Sequence, residues 1–284
     1  MILITGATGN VGSEIIKLLS AKDIASRAMV RSAKGAEKLA GLPGVTPVTG
    51  DFDDAASLEV ALAGIDTAFL LTNSSERAEG QQLTFVAAAK KAGVRHIVKF
   101  SQIHANAASP VRFLRYHAAV EQAIRDSGMA YTFLRANLFM QEFLSFRDPI
   151  TQSGQFFAPI GDGRVSLVDI RDLAAVAVAA LTEPGHDDKT YVLTGPEALS
   201  HAEIAVKIGA ALGREVSFVD IAPGQMREAL VGFGFPHWQA DGVLEDYAHY
   251  QRGEAADAST DIATVTGAPA RSFDVFIGDY AKRF

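Results

Sequence analysis

Three glycines spaced by threes, in Thr5-Gly6-Ala7-Thr8-Gly9-Asn10-Val11-Gly12, could cradle the pyrophosphate of a dinucleotide. In such a turn Gly6 takes the tight bend, Gly9 lets the backbone approach the phosphates, and Gly12 lets the following helix pack close to the preceding strand. Thr8, Asn10 and Val11 lie between them, at the start of a helix whose free N–H groups would face the anion. About 20 residues further on, an NAD site usually places an acid for the ribose hydroxyls. Here the chain reads Met29-Val30-Arg31-Ser32-Ala33-Lys34, without an acid, and Arg31 can fork onto a 2′-phosphate with Ser32 and Lys34 beside it. That favours NADP(H) over NAD; the plain alternative is a solvated cationic loop.

Polar residues also close three further strand-like runs, in Gly50-Asp51-Phe52-Asp53, Leu71-Thr72-Asn73-Ser74 and Phe100-Ser101-Gln102. Ligands of open α/β sheets bind outside the carboxyl ends of the strands. Asp51 with Phe52 could bond and cover an adenine, Thr72 and Asn73 could line a ribose, and Ser101 would lie near the nicotinamide. Each reads equally well as a cap or turn residue, and Asp53 and Asp54 are expected to be caps. Further on, His117 and Glu121 stand one helical turn apart, so the carboxylate could fix the imidazole tautomer and raise its pKa. A simple helix-surface pair is the alternative. The seven histidines show neither the paired spacing nor the flanking carboxylates of a zinc or non-haem iron centre, and no metal is expected.

The elements that must position these groups follow from the apolar pattern. Strand-like runs at Ile2 to Thr5, Arg27 to Val30, Val45 to Thr49, Thr67 to Leu71, His96 to Phe100, Ala130 to Leu134 and Thr190 to Leu193 alternate with helical patterns at Val11 to Ser20, Ser57 to Leu62, Glu79 to Ala92 and Phe113 to Ser127. This alternation predicts an α/β fold built of βαβ units around a doubly wound parallel sheet. Asp169 to Leu181 reads as a further helix, and Leu199 to Leu212 as one capped by Ser200 with Glu203 closing a capping box. Beyond Pro223 the pattern is loose, and Gly232 to Pro236 and Gln251 to Ala258 read as mobile loops of the kind that serve as lids.

Composition bounds the rest. The 284 residues are 48% hydrophobic and 21% charged, which suits a soluble globular protein with a large core. No apolar run approaches the roughly 18 to 20 residues of a membrane span and no leader precedes the strand at Met1, so a cytoplasmic location is expected. A net charge of −7 argues against nucleic-acid binding, and zero cysteines exclude disulfides and thiolate chemistry.

Together the glycine turn, the Val30-Arg31 strand end, Gly50-Asp51-Phe52, Ala92-Gly93-Val94-Arg95-His96-Ile97-Val98, Ser127-Gly128-Met129-Ala130-Tyr131-Thr132-Phe133-Leu134-Arg135 and Val168-Asp169-Ile170-Arg171-Asp172 resemble the NmrA-like branch of atypical short-chain dehydrogenases/reductases, over nearly the whole chain. The resemblance implies a Rossmann NADP-binding domain over 1–150, its sheet completed by parts of 165–195, and a smaller C-terminal substrate lobe over 151–284. It also implies a turn at Asp169 to Asp172 that joins the lobes. Asp169, Arg171 and Asp172 read as structural, because nothing near them completes an acid/base set. It places Phe139, Met140 and Phe143 beside the nicotinamide as one wall of a pocket, to which Trp238 is a further aromatic contributor. The branch includes NADPH-dependent quinone, triphenylmethane-dye and azo-dye reductases, and also redox-sensing regulators that bind NAD(P) without turnover.

The sequence departs from ordinary short-chain dehydrogenases in lacking Tyr-x-x-x-Lys, since Tyr116 is followed four residues later by Val120. Losing the lysine removes an acidified phenol and disfavours simple alcohol/ketone chemistry. The dye- and quinone-reductase members resemble this chain in carrying a His and Glu like His117 and Glu121. The expected function is therefore flavin-independent hydride transfer from NADPH to a small conjugated aromatic acceptor, with Tyr116, His117, Ser101 or water near the proton path. The rival expectation is an NADP-binding sensor. Either would be a monomer or homodimer.

Overall fold

A computed structural model describes residues Met1–Phe284. The chain forms two compact units, the first made of 1–108, 114–135 and 170–191, the second of 109–113, 136–169 and 192–284. The two units are interleaved along the chain, and apart from 109–113 the long first part of unit one runs to Arg135. The chain leaves the first sheet where its sixth strand ends at Ala136, and a helix and strand from 170–191 return to it.

The alternation of apolar runs becomes β1 (Ile2–Ile4), α1 (Asn10–Ala21), β2 (Ser26–Val30), α2 (Ala33–Glu37), β3 (Val45–Thr49), α3 (Ala55–Leu62), β4 (Thr67–Leu70), α4 (Ala78–Ala92), β5 (His96–Gln102), α5 (Arg112–Ser127) and β6 (Ala130–Ala136). After an excursion through β7 (Gln155–Ala158) and β8 (Arg164–Val165), α7 (Ile170–Thr182) and β9 (Lys189–Leu193) complete a seven-stranded sheet, with α6 (Arg147–Ser153) preceding β7. The strand order is β3-β2-β1-β4-β5-β6-β9, and β1, β2, β3, β4 and β5 pair in parallel. Leu3, Ile4, Ala68, Phe69, Ile97 and Val98 are fully buried, as strands covered by helices on both faces require. The order reverses between β1 and β4, which opens a crevice at the carboxyl end of β1. This is a Rossmann-type, doubly wound α/β fold.

The second unit has its own aromatic core, in which Phe143, Phe156, Phe273 and Phe276 are fully buried. Its strands are short: β7 pairs in parallel with β11 (Ser217–Asp220), and β8 antiparallel with β10 (Leu199–Ser200). Ser200 caps α8 (His201–Leu212) and Glu203 closes the capping box, as the sequence predicts. The loose pattern beyond Pro223 proves to hold two helices, α9 (Pro223–Gly232) and α10 (His237–Gln251), ahead of α11 (Asp261–Thr266) and α12 (Phe273–Tyr280). The apolar period of α10 is hidden because its buried positions include Gly242 and His249; a Cβ on Gly242 would lie 2.4 Å from the Phe113 ring. Of the two expected loops, 233–236 is only the connection between α9 and α10, while 252–260 is irregular. No helix is long and apolar enough to cross a membrane.

Candidate cofactor and catalytic site

The glycine turn is built as a close approach of backbone to backbone. Gly6 adopts a left-handed φ of 61°, and the Gly9 N–H closes the bend on the Gly6 carbonyl at 2.9 Å. A Cβ on Gly12 would lie 2.2 Å from the Gly6 oxygen, so only glycine lets α1 start this near β1. Thr5 ties the end of β1 to the chain after β4, accepting the Leu71 N–H at 2.8 Å and lying 3.0 Å from the Phe69 and Leu71 carbonyls. Gly9 is the N-cap of α1, no side chain caps the helix and its first turn carries no acid. Thr8, Gly9 and Asn10 are exposed there, whereas the Val11 side chain is buried and only its backbone could contribute. An uncapped, acid-free helix start behind a glycine bend fits a pyrophosphate.

At the end of β2, Arg31 and Lys34 are exposed, while the Ser32 hydroxyl caps α2 by accepting the Gly35 N–H at 3.3 Å. The Asp51 carboxylate accepts the Asp53 N–H at 3.0 Å, and Phe52 packs on Phe85 with ring centroids 5.7 Å apart. Asp54 caps α3 as expected, but Asp53 does not cap; it pairs with Arg77 at 2.6 Å. Thr72 accepts a hydrogen bond from Gln82 at 2.7 Å and Asn73 is exposed.

The layer between β5 and α5 differs most from expectation. Alternation along β5 turns Lys99 and Ser101 inward, and both are fully buried. The Ser101 hydroxyl donates to Glu121 Oε1 at 2.7 Å, so Ser101 presents no surface to a nicotinamide or a substrate and positions a carboxylate instead. Arg135 of β6 meets Glu121 through Nε at 3.0 Å and Nη2 at 2.6 Å, a bidentate pair, with Arg125 at 3.6 Å. Glu121 therefore does not serve His117. The imidazole Nδ1 lies 3.0 Å from Lys99 Nζ, whose other donor contact is the Phe100 carbonyl at 2.8 Å. Burial first, then the Lys99 and Arg135 cations, hold the His117 pKa well below the usual imidazole value, opposite to the expected rise. Burial likewise pulls Lys99 down to about 7, the Glu121 charge opposing it. Tyr116 is buried, lies tilted against His117 with ring centroids 4.2 Å apart, and shares a 3.2 Å hydrogen bond with Ser74.

Lys99 was not among the expected site residues, although the sequence carries a signal for it. A lysine in the middle of a strand buried on both faces has no solvent to reach and must find a partner. Arg135, at the end of β6, gave no comparable signal.

The aromatic expectations divide. Met140 and Phe143 are 1% exposed and belong to the core of the second unit, Phe143 packing edge-on against Phe156 and Phe273; neither forms a pocket wall. Phe139 is half-buried in the bridge it makes to Val168. Trp238 is half-buried under Phe113, at 5.5 Å, and the Arg112 guanidinium, at 5.3 Å. A cleft of about 540 Å³ in the same unit is lined by Leu144, Arg147, Thr151 and Phe284 and includes none of these residues. No cluster of His, Asp or Glu is arranged to hold a metal ion.

A doubly wound sheet with a glycine bend at its switch point and cations at the next strand end defines the class as a dinucleotide-binding Rossmann protein. Within that class the chain belongs to the NmrA-like family, whose model matches residues 1–262. It is 40% identical over 284 residues to the NAD(P)H azoreductase of Xenophilus azovorans, covering 100% of this chain and 99% of that protein. It also resembles the Escherichia coli NADPH-dependent quinone oxidoreductase in complex with NADPH, with a TM-score of 0.89, 29% identity, and 98% and 99% of the two chains covered. A third similarity is to the Citrobacter sp. triphenylmethane reductase complexed with NADP(H), with a TM-score of 0.87, 30% identity, and 98% and 100% coverage.

Proposed function

We propose that this protein is an NADPH-dependent oxidoreductase that reduces a conjugated aromatic acceptor, an azo dye, quinone or triarylmethane dye, without flavin. The observation that carries the reading is the pairing of an acid-free, cationic β2 end with a helix α5 that offers His117 on Lys99 in place of a tyrosine and lysine pair. Similarity to an azoreductase, a quinone oxidoreductase and a triphenylmethane reductase supports it.

In this reading the backbone of 6–12 and the start of α1 receive the pyrophosphate, with Thr8 and Asn10 at the rim, and Arg31 and Lys34 take the 2′-phosphate. Asp51, Phe52, Thr72 and Asn73 border the adenosine and ribose, and Ser32 contributes by capping α2. The bound cofactor supplies hydride. Acceptors of this class spread the incoming charge over a conjugated system, so alignment and exclusion of water count for more than a strong acid. His117 is the candidate proton donor, Ser101 acts only through Glu121, and Trp238 and Phe139 are the remaining candidates for substrate contact.

Reduction of a triarylmethane dye with cofactor deuterated at the reactive carbon tests the direct transfer. The deuterium should appear at the central carbon of the colourless product with no flavin present. Protium from solvent at that carbon would mean an intermediate carrier.

A further inference from the structure

We propose that Lys99 is a positioning residue that presents its ammonium to His117 Nδ1, holds the imidazole as the Nε2–H tautomer, and replaces the proton that Nε2 gives up. The geometry leaves few alternatives. Lys99 is fully buried, and its Nζ has two contacts, the Phe100 carbonyl at 2.8 Å and His117 Nδ1 at 3.0 Å. The carbonyl can only accept, so it fixes one donor direction and leaves another N–H aimed at the ring. A ring nitrogen that accepts from an ammonium is unprotonated, which puts the imidazole proton on Nε2. His117 keeps 7% exposure, whereas His201 is fully buried.

The surrounding charges permit this pair to release a proton. From α5 the groups nearby are Glu121, Arg125 and Tyr116, and from β6 Arg135. Glu121 is engaged by Arg135 and Ser101, so it favours the ammonium only through its charge, and no carboxylate hydrogen-bonds Nζ. Reduction of a neutral two-electron acceptor such as a quinone or an azo compound consumes one hydride and one proton, whereas a cationic triarylmethane dye takes hydride alone and makes no use of this proton. As the Nε2–H bond breaks and the acceptor gains that proton, a Lys99 N–H bond breaks and Nδ1–H forms. The imidazole stays neutral, its tautomer inverts, and lysine is left as the free amine. Burial lowers the lysine pKa to about 7, which makes that loss accessible at neutral pH. Reprotonation runs the same path backward, Nε2 taking a proton from water as Nδ1 returns its own to Lys99.

The proton-supply half rests on the reductase reading, whereas the tautomer half does not, and the experiment separates them. Long-range 15N–1H spectra of histidine-labelled protein, with His117→Gln assigning the signal, should show Nε2–H and an unprotonated Nδ1 at neutral pH. In Lys99→Met the imidazole should protonate at a higher pH than in the parent, because the neighbouring cation is gone. An Nδ1–H tautomer in the parent, or an unchanged titration in Lys99→Met, overturns the assignment. With a quinone or azo acceptor that turns over, the parent kcat should fall as pH rises past about 7, and Lys99→Met should lose that limb and run roughly 10-fold or more slower at unchanged NADPH affinity. Lys99→Arg, which keeps the cation but cannot release a proton, should be equally slow with the Nε2–H tautomer retained. An unaltered alkaline limb in either variant overturns the proton supply. If no acceptor is reduced, the reductase reading fails while the spectra still decide the tautomer.

Discussion

Glu121 Oε1 accepts the Ser101 hydroxyl at 2.7 Å, and this contact ties α5 to β5 beneath the sheet while His117, one turn earlier on the same helix, turns to Lys99 instead. With Arg135 bidentate on the other side, Glu121 is 1% exposed and fully engaged. Breaking a buried ion pair by removing one partner strands the other charge, so Glu121→Ala should destabilise the protein by about 3 kcal/mol. A surface (i, i+4) pair would cost about 0.2 to 0.5 kcal/mol. Urea denaturation of the variant distinguishes the two.

Arg31→Ala should weaken NADPH binding and leave NADH binding nearly unchanged, because only NADPH carries a 2′-phosphate for the guanidinium to grip. Loss of a charge-assisted contact corresponds to about 1.5 to 3 kcal/mol, roughly 10- to 100-fold in Kd. Isothermal titration with both cofactors measures it, and equal weakening of the two would show that Arg31 does not read the phosphate.

The glycines of the turn should differ in what they tolerate. At Gly12 a methyl would overlap the Gly6 carbonyl at 2.2 Å, so Gly12→Ala must push α1 away from β1, at about 1 to 3 kcal/mol in stability and with loss of cofactor binding. Gly9 is exposed and a Cβ there meets only the Gly6 oxygen, at 3.3 Å. Gly9→Val should therefore stay folded while its side chain blocks the pyrophosphate. Thermal unfolding and NADPH titration of the two variants give the comparison.

His201 sets an acid limit on stability. It is fully buried among Phe143, Phe156, Phe218 and Tyr247, and neither ring nitrogen has a hydrogen-bond partner. Burial lowers its pKa from 6.5 to about 4. Its place at the first residue of α8 adds an unfavourable helix dipole for a cation. Between those two values the unfolded chain binds the proton and the folded one does not, so stability is fully present above pH 6.5 and is lost as pH falls toward 4. The loss amounts to about 3 kcal/mol at most. His201→Phe should flatten that slope in urea denaturation across the range; an unchanged slope would assign the acid sensitivity to other groups.

The strand and helix alternation of the first unit was legible because its buried strands are short apolar runs and helices such as α1 bury an apolar face, whereas α2, which buries no residue, was not read as a helix. The glycine turn was legible for a related reason, since its spacing is dictated by contacts within a dozen residues. Contacts between distant segments were not. Nothing near His117 in sequence says that its partner is Lys99 rather than Glu121, because which face of β5 turns inward depends on how α5 lies on the sheet. The same reason misplaced Ser101. Met140 and Phe143 read as pocket wall or core with equal ease, and only the aromatic cluster of Phe156 and Phe273 decides for core. Helix α10 was missed because glycine, histidine and tyrosine stand at its buried positions, which erases the period, and α9 because it buries only Met226 and Leu230, too few to show one.

The most direct measurement follows the absorbance of reduced cofactor at about 340 nm, with this protein free of flavin and a panel of quinones, azo dyes and triarylmethane dyes. The account predicts catalytic loss of absorbance with at least one planar aromatic acceptor, faster with NADPH than with NADH. Bound NADPH whose absorbance stays constant with every acceptor would contradict it and point to a cofactor sensor.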